Sequence, residues 1–150
     1  METPEAIIAR AHERGRELKL PYAGALLPKE AHALMCALPE SKLVDVRSRA
    51  ELECVGRIPD SVAIEWNRWP NSHRNLDFIS EFEASVDKNA TVMLLCRSGV
   101  RSHHAAVALA ANGYSRAYNI LQGFEGDKDP NGQRNLLGGW RAAGLPWKQG

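Results

Sequence analysis

The sequence predicts an α/β fold with a mainly parallel sheet covered by helices on both faces. Three observations lead there. The runs around Leu43–Val46 and Val92–Leu95 are short, apolar and β-branched, without the alternation of a half-exposed strand. Amphipathic or alanine-rich stretches of helical length separate such runs. Pro21, Pro39 and Gly113 end such stretches. A chain of 150 residues, 44% hydrophobic and 25% charged, fits one domain. At that size about 70% of the unfolded surface can be buried, so no disulfide or metal staple is needed.

Thr3 is placed to cap a first helix, with Pro4 at its first position and Glu5 at its positive end. Ile7, Ile8, Ala11 and Leu18 give it an apolar stripe, and Pro21 stops it, so residues 4–19 read as an amphipathic helix. Residues 23–27 form a short apolar strand. Residues 29–38 form a helix with Ala31, Leu34, Met35 and Leu38 on one face, ended by Pro39. Residues 42–47 are a buried strand, 48–54 one or two helical turns, 58–61 a turn and 62–66 a further strand. Residues 67–75 read as loop. Leu76, Ile79, Phe82 and Val86 mark a helix over 76–86. Residues 91–95 give the clearest strand. Residues 102–112 are helical, closed by Gly113, and 116–121 form a last strand. Residues 123–139 are rich in Gly, Asp and Asn and read as loop, followed by a short helix over 140–143.

Composition excludes several function classes. Nineteen basic against 18 acidic side chains leave a net charge of +1, which argues against a nucleic-acid binder working by bulk charge. Three cysteines, at 36, 54 and 96, make no disulfide framework and suit reduced thiols. The N-terminus lacks a secretory signal pattern, and no apolar run approaches a membrane span, so a soluble cytoplasmic protein is expected, with no membrane partner. No Cys/His set has zinc spacing, so no metal is expected. Asp127 to Gly138 starts like a calcium loop, yet its twelfth position is Gly138 where a bidentate Glu is required. Adjacent His103 and His104 point about 100° apart on a helix. Cys36 and Cys54 read as core or surface thiols. The four tryptophans read as packing residues, with Trp69 a weaker candidate for a pocket wall.

The chemistry concentrates in Leu94-Leu95-Cys96-Arg97-Ser98-Gly99-Val100-Arg101-Ser102. An apolar strand runs into a cysteine, and a helix follows within a few residues. Ligands of parallel α/β sheets bind at the carboxyl ends of strands, where Cys96 sits. A tight turn at a helix N-terminus forms a nest of backbone N–H groups, and the helix dipole adds positive potential. Gly99 supplies the unusual backbone angles, while Arg97 and Arg101 add formal charge; the sequence leaves open which guanidinium points inward. All of this favours the thiolate form of a nucleophile.

This loop resembles the active-site loop of the rhodanese family, sulfurtransferases that carry sulfane sulfur as a cysteine persulfide. Leu43-Val-Asp-Val-Arg47 with Glu51 resembles the family's early strand and the acidic residue after it. Gly56-Arg-Ile-Pro-Asp-Ser61 resembles its Gly-His-Ile-Pro-Gly-Ala turn, departing at Arg57, Asp60 and Ser61. Asn119 to Phe124 resembles its strand and glycine turn, and Gly139 to Pro146 its closing helix. The resemblance covers residues 23–147 and leaves 1–22 as an N-terminal helical extension. It implies a central, mainly parallel five-stranded sheet flanked by helices.

The resemblance also implies a role for each loop residue. Cys96 is the nucleophile, and Arg97, Ser98, Gly99, Val100, Arg101 and Ser102 bind the substrate. The loop is a Cys-x4-Arg ring, one residue shorter than in related phosphatases, with Ser102 where the longer ring would have Arg. Sulfite is a good leaving group and needs no general acid, and the loop carries no carboxylate. Cys96 thus takes sulfur from thiosulfate or a related small sulfur anion. It passes that sulfur to cyanide or a thiol, possible protein acceptors included, by ping-pong covalent catalysis without a cofactor. The alternatives are a non-enzymatic binding module on this fold and, less favoured, a phosphatase or arsenate reductase.

Overall fold

The computed structural model describes residues 2–68 and 73–149. Helix α1 (Pro4–Glu17) begins where Thr3 Oγ1 accepts the Ala6 N–H at 3.1 Å. Then follow β1 (Gly24–Leu26), α2 (Pro28–Ala37), β2 (Lys42–Asp45), α3 (Arg49–Cys54) and β3 (Val62–Ala63). After them come β4 (Asn67–Arg68), β5 (His73–Arg74), α4 (Phe78–Ser85), β6 (Val92–Leu95), α5 (Val100–Ala111) and β7 (Ala117–Ile120).

Five strands lie parallel in the order β1-β7-β6-β2-β3. Alternation along the strands sends side chains to two apolar layers. Val44, Val92, Leu94 and Ala117 pack with Phe78 and Phe82 of α4 and Ala105, Ala106 and Leu109 of α5. Leu43, Met93, Leu95, Tyr118 and Ile120 pack with Ile7 and Ala11 of α1, Ala31 and Leu34 of α2, Phe124 and Trp140. Both faces are therefore covered, which is why the strands read as continuous apolar runs.

Helix α1 comes close to β1 because two glycines meet there: a Cβ on Gly24 would lie 2.3 Å from the Ala11 carbonyl oxygen. Glu30 of α2 ties the helices together. Its carboxylate accepts from Arg10 at 2.6 Å and Arg14 at 2.9 Å, and caps the Leu27 N–H at 2.8 Å.

Register sets the site. Asp45 lies beside Leu95, and Leu94 beside Asn119. The three central strands thus end level, and Cys96 leaves the middle of the carboxyl edge.

Three local expectations change. The strand expected over 62–66 is regular only at Val62–Ala63. Ile64 and Trp66 still donate to Asp45 O and Val46 O, but the chain then turns into an antiparallel β4–β5 pair inside the stretch read as loop. Helix α5 starts at Val100, two residues before the expected start, because Gly99 at φ +106° opens it without a side-chain cap. The short helix expected over 140–143 is a set of turns with Ala143 N–H bonded to Gly139 O, since Gly144 at φ +77° stops it at once. Trp69 lies outside the described residues. Among those described, no helix is long and apolar enough to cross a membrane.

Candidate active site

Strand β6 delivers Cys96 into a turn that Gly99 closes. The positive φ of Gly99 brings its N–H onto the Cys96 sulfur at 3.1 Å. Ser102, in the first turn of α5, places its hydroxyl 3.3 Å from the same sulfur. Asn119 of β7 anchors both from the neighbouring strand. Its Oδ1 accepts the Ser102 hydroxyl at 2.5 Å, and its Nδ2 donates to Gly99 O at 3.1 Å. Cys96, Ser102 and Asn119 are all buried.

The turn after β7 forms the second support. Phe124 N–H donates to Cys96 O at 2.8 Å and Glu125 N–H to Arg97 O at 3.0 Å. Gly123 fits between them, since a Cβ there would sit 2.5 Å from Cys96 O. The loop around Cys96 is therefore braced along its backbone on one side and by α5 on the other.

Both arginines of the ring carry carboxylate partners. Arg101 makes a bidentate pair with Glu51 of α3, at 2.6 and 2.9 Å. Ser48 caps α3 and also bonds Glu51. Burial pushes the Glu51 carboxyl up, but the Arg101 bonds and charge together with Ser48 outweigh it and hold the group at about 2. Arg101 is raised in turn, chiefly by its bonds to Glu51, with smaller contributions from Cys96 and Asp45. Arg97 is half exposed and pairs with Glu125 at 3.2 Å. A cleft of about 390 Å³ opens beside Arg101, walled by Ser48, Glu51, Cys54, Asn67 and Arg68.

The structure thus gathers Cys96, Gly99 and Ser102 of the expected residues around one sulfur. Val100 instead turns its side chain outward, 62% exposed, and Ser98 stands half-buried at the rim. Asn119, Gly123 and Glu125 escaped the sequence reading as site residues. Asn119 left one signal, a polar side chain in an otherwise apolar strand.

Beneath the loop, Arg47 and Asp45 are fully buried and paired at 2.8 Å, and Arg47 also donates to Gly56 O and lies over the Phe124 ring. On the far side of Asn119, the Tyr22 hydroxyl lies 2.6 Å from His103 Nδ1. Burial pushes the Tyr22 phenol up to about 12, and burial with the His104 charge lowers His103.

Known proteins place the chain in a family. A crystal structure of Rv0390 from M. tuberculosis superposes with a TM-score of 0.79 and 39% identity, over 86% of this chain and 99% of that one. An uncharacterised protein of Rickettsia conorii is 34% identical over 79% of this chain and 92% of its own length. The thiosulfate sulfurtransferase GlpE of Pseudomonas syringae is 36% identical over 65% of this chain and 80% of its own. The model of the rhodanese-like domain matches residues 27–129, a span that runs from the end of β1 through the Cys96 loop and its Gly123 brace. With that span matched and the fold shared, the chain belongs to the rhodanese-like domain family.

Proposed function

We propose that the protein is a sulfurtransferase in which Cys96 carries sulfane sulfur as a persulfide. The observation that carries this reading is the Cys96 sulfur inside a Cys-x4-Arg turn, with the Gly99 N–H on it at 3.1 Å. Sulfurtransferases among the relatives support it, including one of Allochromatium vinosum, 35% identical over 55% of this chain.

In the first half-reaction the Cys96 thiolate attacks the outer sulfur of thiosulfate or a related small sulfur anion. The donor's S–S bond breaks, and sulfite leaves with the electron pair. The persulfide is then held by loop N–H groups. In the second, cyanide or a thiol, that of a protein included, attacks the outer sulfur and returns Cys96 as thiolate. No cofactor takes part. Because Glu51 and Glu125 neutralise Arg101 and Arg97, attraction for the donor comes from backbone N–H groups and the α5 dipole more than from free guanidinium charge. Electrostatic stabilisation by these fixed dipoles is the main protein contribution.

Steady-state turnover of thiosulfate and cyanide tests the reading. Parallel double-reciprocal lines and complete loss of sulfite release in Cys96→Ser are expected. Turnover that survives in Cys96→Ser overturns it.

A further inference from the structure

The hydrogen bonds around Cys96 have a fixed direction. Gly99 O is a carbonyl and can only accept, so the group of Asn119 facing it at 3.1 Å is the amide nitrogen. The other terminal atom of Asn119 is then Oδ1, which can also only accept. It lies 2.5 Å from Ser102 Oγ, so the single hydroxyl proton of Ser102 is committed to Asn119. Ser102 is left with lone pairs toward the Cys96 sulfur at 3.3 Å. It can accept from the S–H of a thiol there, and it has no proton to give a thiolate.

We infer that Asn119 is a positioning residue that withholds the Ser102 proton from Cys96, so that the serine supports the resting thiol rather than the thiolate. The Gly99 N–H is then the donor that stabilises the charged sulfur. Asn119 ties the two effects together, because the same amide that claims the Ser102 proton also fixes Gly99 through its carbonyl. The charged groups around the sulfur are the Arg101–Glu51 pair and Asp45, with Tyr22 and His103 beyond Asn119. Tyr22 also bonds Asn119, so Ser102 variants are compared within one Asn119 background, where these groups are the same and the difference isolates the hydroxyl proton. The inference takes Cys96 as the reacting thiol of the proposed function, but its test needs no sulfur donor. Failure of sulfur loading and failure of this inference are therefore separate results.

The test follows the ultraviolet absorbance of the Cys96 thiolate against pH, in protein with Cys36→Ser and Cys54→Ser. On the lower limb of the curve, Ser102→Ala is expected to leave the thiolate-to-thiol ratio unchanged or raise it, and Ser102→Thr to keep the original ratio. With Asn119→Ala present, the Ser102 proton is free to turn to the sulfur. Adding Ser102→Ala in that background is expected to lower the ratio about tenfold, the value of one hydrogen bond to a charged group. A fall in the ratio for Ser102→Ala alone overturns the inference, as does no fall in the Asn119→Ala background. Should Asn119→Ala not fold, Ser102→Ala and Ser102→Thr alone decide.

Discussion

Glu51 and Arg101 stand 50 residues apart in sequence and share two hydrogen bonds at the lip of the candidate site. The pair is three-quarters buried, so its energy is little screened. Glu51 lies at about 2 in the folded protein against its usual 4.5. A depressed carboxyl contributes stability above its unfolded value and loses it as pH falls through the folded one. The contribution, about 3 kcal/mol, is therefore complete above pH 5 and fades between 4.5 and 2. Glu51→Gln is expected to lose about that much in urea unfolding at neutral pH, with the gap to the parent narrowing as pH falls through the same window. An undiminished gap at the acid end contradicts the assignment. Beneath it, removing one partner of the Asp45–Arg47 pair by Arg47→Met should cost about 3–5 kcal/mol, because Asp45 is left buried and uncompensated. None of these partnerships could be read along the chain. Cys96, Gly99 and the two arginines were legible because their loop is continuous, whereas Glu51, Asn119 and Glu125 meet it only through the fold.

Two elements brace the Cys96 turn, and each rests on a glycine. Gly99 opens α5 at φ +106°, and a Cβ there would meet nothing nearer than Gln122 N at 3.6 Å, so Gly99→Ala should cost about 1 kcal/mol of backbone strain. Gly123 differs, because its missing Cβ would meet backbone atoms of Cys96 and Arg97 at 2.5–2.7 Å. Gly123→Ala must therefore displace the loop itself. A shift approaching an ångström at a reacting centre costs about a hundredfold in rate. Sulfite release should fall by that order in Gly123→Ala while Gly99→Ala loses far less; equal effects would mean that the Gly123 turn does not position Cys96. The strands and long helices were legible because burial on both faces leaves an unbroken apolar run or a helical stripe. The β4–β5 pair was not, since two-residue strands leave no periodicity. The turns over 140–143 were misread because helix-forming residues there are cut off by Gly144 before a second turn can form.

Across the whole molecule, the sheet has two apolar layers, and α1 belongs to one of them. Ile7 is 3% exposed and Ala11 fully buried, in the same cluster as Leu43, Leu95 and Trp140. The family match begins only at residue 27, so we propose that the N-terminal helix is a structural part of this protein rather than a detachable arm. Ile7→Ala should then cost about 2–4 kcal/mol in urea unfolding, against a few tenths if α1 frays independently. The order of the sheet brings the ends of β2, β6 and β7 level, and this places Cys96 over the braced turn. The central claim is that this sulfur is the carrier. The most direct measurement is the intact mass of the protein after thiosulfate treatment, beside Cys96→Ser. The account predicts a gain of one sulfur atom that is absent in the variant and is removed by cyanide. No gain with thiosulfate or with polysulfide, or an equal gain in Cys96→Ser, would contradict it.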